Sequence, residues 1–213
     1  MHHGQVARVA GDADRLSLER DGGAEAGLGD ERCQRSLDDS GHVIHASSFS
    51  KTVCPGIRVG YLVGPAEVIA TIARIATSTY ISPNMVSEAI VHEFCRSGAL
   101  ERSIEAVKSA LRERAATLCQ ALRREFPDAR FVEPQGGYFL WLELPRGTNV
   151  EALFEAANSR GVVFVKGSDF VLEGAESSLR LAYAGVTPAE IEEGVRRLAD
   201  AYAEIEAVGA PAA

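Results

Sequence analysis

Only three of the chain's 22 basic side chains are lysines, at positions 51, 108 and 166, so a reaction that needs an amine nucleophile has few places to occur. Lys51 differs from the other two in its neighbours. It ends the run Ser47-Ser48-Phe49-Ser50-Lys51, a Pro55-Gly56 turn follows it, and Arg58 lies seven residues on. Hydroxyls donate to phosphate oxygens, a guanidinium offers a planar fork that matches two of them, and an amine beside such a site can form an imine with an aldehyde. Residue type and spacing alone leave a second reading open, in which the Ser-rich run is a solvated turn. Lys108 falls on the polar side of a long helical pattern, and Lys166 follows a short apolar run.

The other reactive residue types point away from metals and redox chemistry. The five histidines have no ligand spacing: His2 and His3 are terminal, while His42 and His45 flank a strand candidate. No metal is expected. Cys33, Cys54, Cys95 and Cys119 are scattered without a C-x-x-C pair, which suits buried reduced thiols. A net charge of -8 without any basic cluster opposes a nucleic-acid partner. The longest apolar stretches, such as 136–144, are too short to span a membrane, and the N-terminus lacks a basic segment followed by a long apolar one. With 46% hydrophobic and 24% charged residues the composition is that of a globular chain, and a cytoplasmic enzyme is expected.

The elements that must position Lys51 can be read from hydrophobic period. Residues 1–40 hold no sustained period of 2 or 3.6, and little regular structure is expected there. Val43-Ile44 and residues 59–63 are strand candidates on either side of the lysine. Pro65 opens a helix with Val68, Ile69, Ile72 and Ile75 on one face, and Ser82-Pro83 reads as the N-cap and first residue of a second helix that ends at Gly98. Leu100, Ile104, Val107, Leu111, Ala115, Leu118, Leu122 and Phe126 then repeat every three or four residues until Pro127, predicting one long helix with a single buried stripe. Strands are expected over 130–133, 138–144, 162–165 and 179–183, with a helix over 150–160 between them and Trp141 and Phe139 in the core. Thr187-Pro188-Ala189-Glu190 is a capping box for a last helix that buries Ile191, Val195, Leu198, Tyr202 and Ile205. The change of pattern suggests four parts: an atypical, poorly structured segment 1–40, a strand–helix part 41–100, an α+β part 101–206, and a flexible tail 207–213.

The string Ser48-Phe49-Ser50-Lys51-Thr52-x-x-Pro55-Gly56-x-Arg58-x-Gly60-Tyr61 resembles the S-F-S-K-x-x-x-P-G-x-R-x-G-[YW] signature of class I/II aminotransferases, the fold-type I enzymes that use pyridoxal 5'-phosphate. The resemblance runs from about residue 37 to 205 and is strongest to the branch holding 2-aminoadipate aminotransferases and the aminotransferase domains of MocR-type regulators. It covers the C-terminal portion of that family only. It implies an α/β fold: a remnant of the large parallel-sheet, cofactor-binding domain over 41–100, then a small α+β domain over 101–206. It also implies that Lys51 holds the cofactor as a Schiff base and moves the substrate's α-proton. Ser48, Ser50 and Arg58 would hold the cofactor phosphate. Pro134-x-Gly136-Gly137-Tyr138-Phe139-Leu140-Trp141 resembles the family's P-x-G-G-[MY]-F-x-W strand, and Leu179-Arg180-Leu181-Ala182-Tyr183 resembles L-R-L-x-[FY], so that Arg180 would grip the substrate α-carboxylate. The implied partners are an α-amino acid, a 2-oxo acid and a second copy of the chain.

Two departures stand out. The family's preceding residues, which carry an aspartate for the pyridine nitrogen and a ring stacked on the pyridine, have no counterpart in residues 1–40, and Asp12 and Asp14 lack the expected flanks. Lys166 stands where the family has proline in V-P-G-x-x-F, in a loop expected to face the substrate. The alternative to an enzyme is therefore a non-catalytic fragment, or the effector-binding part of a MocR-type regulator.

Overall fold

Residues 42–209 are described by a computed structural model, in two units that divide between Lys108 and Ser109, inside the longest helix. The expectations for residues 1–40, and for 210–213 of the tail, lie outside the described residues.

In the first unit, β1 (His45–Ser48) and β2 (Gly60–Val63) form an antiparallel pair, with His45 opposite Val63 and Ser48 opposite Gly60. The strand begins after Val43-Ile44, not at them. Continued in the same register, Ile44 would face Gly64 and Val43 would face Pro65, which has no N–H for the ladder. Among the described residues both sheets are antiparallel, because the connection over 49–59 is a tight loop and a parallel neighbour needs a longer crossover. Helices α1 (Ala66–Tyr80), α2 (Met85–Arg96) and α3 (Ala99–Glu125) follow. The cap of α2 differs from expectation: Asn84, not Ser82, is the N-cap, its Oδ1 accepting from Ser87 N–H at 3.2 Å. A side-chain acceptor one residue before the first turn reaches that donor, which Ser82 is too distant in sequence to do. Burial in this unit is concentrated at Val59 and Val91, with Phe49, Ile57 and Cys95 packed on them. No residue of α1 is buried, so its expected apolar face stays half open, and Cys54 is exposed where a buried thiol was expected.

The second unit carries the larger core. From Leu111 to Phe126 the expected stripe of α3 is buried, and Gly98, with φ 70°, ends the helix before it. β3 (Phe139–Glu143), β4 (Val165–Lys166) and β5 (Ser178–Ala182) form one antiparallel sheet in the order β3-β5-β4. Leu140, Leu142, Leu179 and Leu181 alternate onto its buried face, with the period of two that side chains on a strand must have. Helices α4 (Val150–Asn158) and α5 (Pro188–Gly209) pack against each other, and buried Leu153, Ala157, Ile191, Val195 and Leu198 extend the core. Glu190 accepts from the Thr187 backbone N–H at 2.7 Å and Thr187 Oγ1 accepts from Glu190 N–H at 3.3 Å, so the capping box forms as the sequence suggests.

Two strand expectations shrink. Residues 130–133 contribute one bridge, Arg130 to Glu143, because Val132 remains 86% exposed and finds nothing to bury against. Residues 161 and 162 are taken up in ending α4: Gly161 sits at φ 75° and Val162 N–H donates to the Ala157 carbonyl at 3.0 Å, which leaves only Val165 and Lys166 to pair.

Gly167 opens the short 3-10 turn Gly167–Asp169 and has no room for a side chain. A Cβ there would lie 2.7 Å from the Ala175 carbonyl oxygen and 2.8 Å from the Ser178 carbonyl oxygen. Gly167→Ala should destabilise the chain by about 1–3 kcal/mol, as overpacking against backbone does. Urea unfolding checks it, and a midpoint equal to the parent's would show that the turn can yield.

Candidate active site

The Lys51 loop is built by pairing at its ends. Beyond Ser48 and Gly60, Phe49 N–H donates to the Val59 carbonyl at 3.0 Å, closing the loop as β1 and β2 part. Phe49 and Val59 then enter the small core, and the Phe49 ring lies 5.3 Å from that of Tyr61. Inside the closure Val53 N–H donates to the Phe49 carbonyl at 2.9 Å, so residues 49–53 form one helical turn with the Lys51 side chain exposed. Ser103 Oγ of α3 donates to the Thr52 carbonyl at 3.0 Å, anchoring the turn from a distant part of the sequence. Nothing in the sequence marked Ser103, since a serine on a helix carries no periodic signal.

After the 3-10 turn Pro55–Ile57, Arg58 adopts φ 53° and ψ 36°, the left-handed region that favours glycine, and its Nη1 donates to the Pro55 carbonyl at 3.3 Å. A non-glycine residue there carries strain of about 1–3 kcal/mol, and such outliers concentrate at functional sites. Ser50, Lys51 and Arg58 thus lie on one closed loop and Ser48 on the strand that leads into it, with Ser48, Lys51 and Arg58 exposed and Ser50 half-buried. Two hydroxyls, an amine and a guanidinium form a donor set that fits a phosphate joined to an aldehyde.

Arg180 belongs to the second unit and is described there by itself. On β5 it faces Trp141 of β3 and Val165 of β4, on the sheet face opposite the buried leucines. Its guanidinium carbon lies 4.1 Å from the centre of the Phe139 ring and 4.2 Å from that of Phe170, and its Nε is buried without a hydrogen-bond partner. Phe139 is not a core residue: it is 47% exposed, because in register with Ala182 it shares Arg180's face of the sheet and not the leucines'. Trp141 is half-buried, edge-on to Phe170 at 5.9 Å. Phe170 went unselected in the sequence, although it is the last residue of Val165-Lys166-Gly167-x-x-Phe170, which matches the V-P-G-x-x-F pattern apart from lysine for proline.

Lys166 itself points elsewhere. It pairs with Leu179 in the sheet and its Nζ lies 2.8 Å from both Glu151 carboxylate oxygens, so it ties β4 to α4, and the bond to Glu151 raises its pKa above the ordinary lysine range. The Gly136-Gly137 turn is held from β5's end, where the Tyr183 hydroxyl donates to the Gly137 carbonyl at 2.9 Å. Burial pushes that phenol up, which keeps its proton for the bond. Among the described residues no three His, Cys, Asp or Glu side chains gather as a metal site.

Comparison with known proteins decides the ancestry. Residues 22–198 match the family described as aminotransferase class I and II. The chain belongs to the class I and II aminotransferases. Among curated relatives, a 2-aminoadipate transaminase of Thermus thermophilus is 39% identical over 158 residues, covering 73% of this chain and 40% of that protein. The helix-turn-helix transcriptional regulator TauR of Rhodobacter capsulatus is 30% identical over 169 residues, covering 78% of this chain and 35% of the regulator. Among solved structures, an α-aminoadipate aminotransferase from Thermus thermophilus, complexed with N-(5'-phosphopyridoxyl)-L-leucine, superposes with a TM-score of 0.71 at 36% identity over 78% of this chain and 43% of that one. The chain spans about two-fifths of the length of these relatives and carries the corresponding part of the aminotransferase fold.

The strain at Arg58 is measurable apart from its chemistry. Arg58→Gly should be more stable than Arg58→Ala by about 1 kcal/mol, since only glycine occupies the left-handed region freely. Urea unfolding of the two variants decides it, and equal midpoints would show that the loop relaxes out of that conformation.

Proposed function

We propose that the chain carries the lysine-bearing part of a pyridoxal-phosphate-dependent aminotransferase, which moves an amino group between an α-amino acid and a 2-oxo acid. The observation that carries this reading is the closed β1–β2 loop, which bears Ser50, Lys51 and Arg58 with Ser48 at its entrance, all within one family motif. Ser48 and Arg58 hold the phosphate, with Ser50 a lesser donor, and the planar fork of Arg58 matches two phosphate oxygens. Lys51 Nζ would be the amine that holds the cofactor's aldehyde end, and the same amine would take and return the proton at the substrate α-carbon. When bound, pyridoxal phosphate supplies the conjugated ring that accepts the electron pair left on that carbon. Arg180 Nη atoms receive the α-carboxylate. The large-domain part would be 41–100 and the small domain 101–206, in a cytoplasmic homodimer of amino-acid metabolism.

A second reading is favoured by the similarity to TauR: a part that binds an effector amino acid or the cofactor without turnover, inside a longer regulatory protein. The two readings share the Lys51 loop and differ in turnover.

On mixing with pyridoxal phosphate, the chain should develop a yellow absorbance band that borohydride bleaches while fixing the cofactor covalently to Lys51, and Lys51→Ala should abolish both. No band in the parent chain would sink the cofactor reading. Given a band, amino-group transfer to a 2-oxo acid selects the enzyme, and its absence selects the effector-binding part. In the same assay Arg58→Ala should weaken cofactor retention more than Arg180→Ala, which should instead raise the amino-acid KM.

A further inference from the structure

We infer that Phe139 and Phe170 are positioning residues for Arg180: their rings hold the guanidinium so that only its edge is offered, which makes it a reader of planar carboxylates. The inference rests on the reading of Arg180 as the carboxylate contact. It adds two residues from different elements and a reason for them.

The two rings reach Arg180 from separate places. Phe139 is the diagonal cross-strand neighbour on β3, two residues from Arg180's partner Trp141, and Phe170 follows the Gly167–Asp169 turn that leads out of β4. Each ring centre lies about one van der Waals contact from the guanidinium carbon, at 4.1 and 4.2 Å. The five N–H groups of a guanidinium lie in its plane, so a ring that contacts its central carbon restrains it without taking a hydrogen bond. Nε already points into the protein without a partner, which leaves the terminal edge for a ligand.

Both rings are about half exposed, 47% for Phe139 and 45% for Phe170, so their burial adds little to the core. Phe170 also meets Trp141 edge-on at 5.9 Å, and the contact the two rings have in common is with the cation. An unrestrained arginine loses rotamer entropy when it is fixed, and rings that fix it beforehand lower that loss on binding. Electrostatic attraction between a cation and a ring face adds to the restraint. Leucine matches the apolar character but has no such face, whereas tyrosine keeps it.

The experiment uses the full chain labelled with 15N-arginine, and 4-methylpentanoate as probe, a monocarboxylate with no carbonyl to react. In the parent chain the Arg180 Nε–H resonance should lie upfield from ring currents, and it should shift saturably with the carboxylate. Phe139→Leu and Phe170→Leu should each raise Kd about threefold and the double variant about tenfold, with the upfield shift lost. The double tyrosine variant should keep both the shift and a Kd within about twofold of the parent. Chloride, which has no two oxygens for the fork, should bind all of them alike. A double leucine variant that binds as the parent does, while Arg180→Met has lost binding, overturns the clamp and leaves Arg180 in its role. Binding unchanged in Arg180→Met, or no saturable response in the parent, overturns the Arg180 reading and the clamp with it.

Discussion

The hydrogen bond from Phe49 N–H to the Val59 carbonyl joins the two ends of the loop that carries Lys51. It continues the β1–β2 ladder beyond Ser48 and Gly60, and it brings Phe49 and Val59 side by side where Val91 and Cys95 of α2 can cover them. Everything between these ends is then a short, constrained path. One helical turn presents Lys51, a proline turn reverses the chain, and a left-handed residue returns it to the strand. Arginine occupies that last position although glycine would sit there without strain. The guanidinium turns back to donate to the Pro55 carbonyl, so backbone and side chain close the same turn.

The second unit follows a different rule, the alternation of a half-buried antiparallel sheet. Leu140, Leu142, Leu179 and Leu181 commit one face of β3 and β5 to the core, and this leaves Phe139, Trp141, Arg180 and Val165 together on the other. The arginine thus lies among apolar groups, with its Nε buried and unpartnered. A buried N–H left without a partner costs stability. Lys166, one residue away, shows the contrast: it turns to the opposite face and is neutralised by Glu151.

Much of this was legible in sequence because local chemistry dictates it. The long stripe of α3, the capping box Thr187-Pro188-Ala189-Glu190, and the proline and glycine turns around Lys51 each depend on residues within one or two helical turns of each other. Where a contact joins residues far apart in the chain, the sequence was silent or misleading. Ser103 holding the Thr52 carbonyl carries no pattern, and Phe139 was expected in the core because its neighbours in an apolar run are there. Residues 130–133 are apolar enough for a strand, yet only one bridge forms, since pairing pays only where a face can be buried.

By itself, then, the sequence determined the family and most element positions, because these rest on residue chemistry and on short spacings. Only the tertiary structure decided which side of each strand faces the core, and with it that Arg180 meets Phe139 and Phe170 while Lys166 is spent on Glu151. A shift of one residue in strand register exchanges the two faces, and register is set by partners distant in sequence.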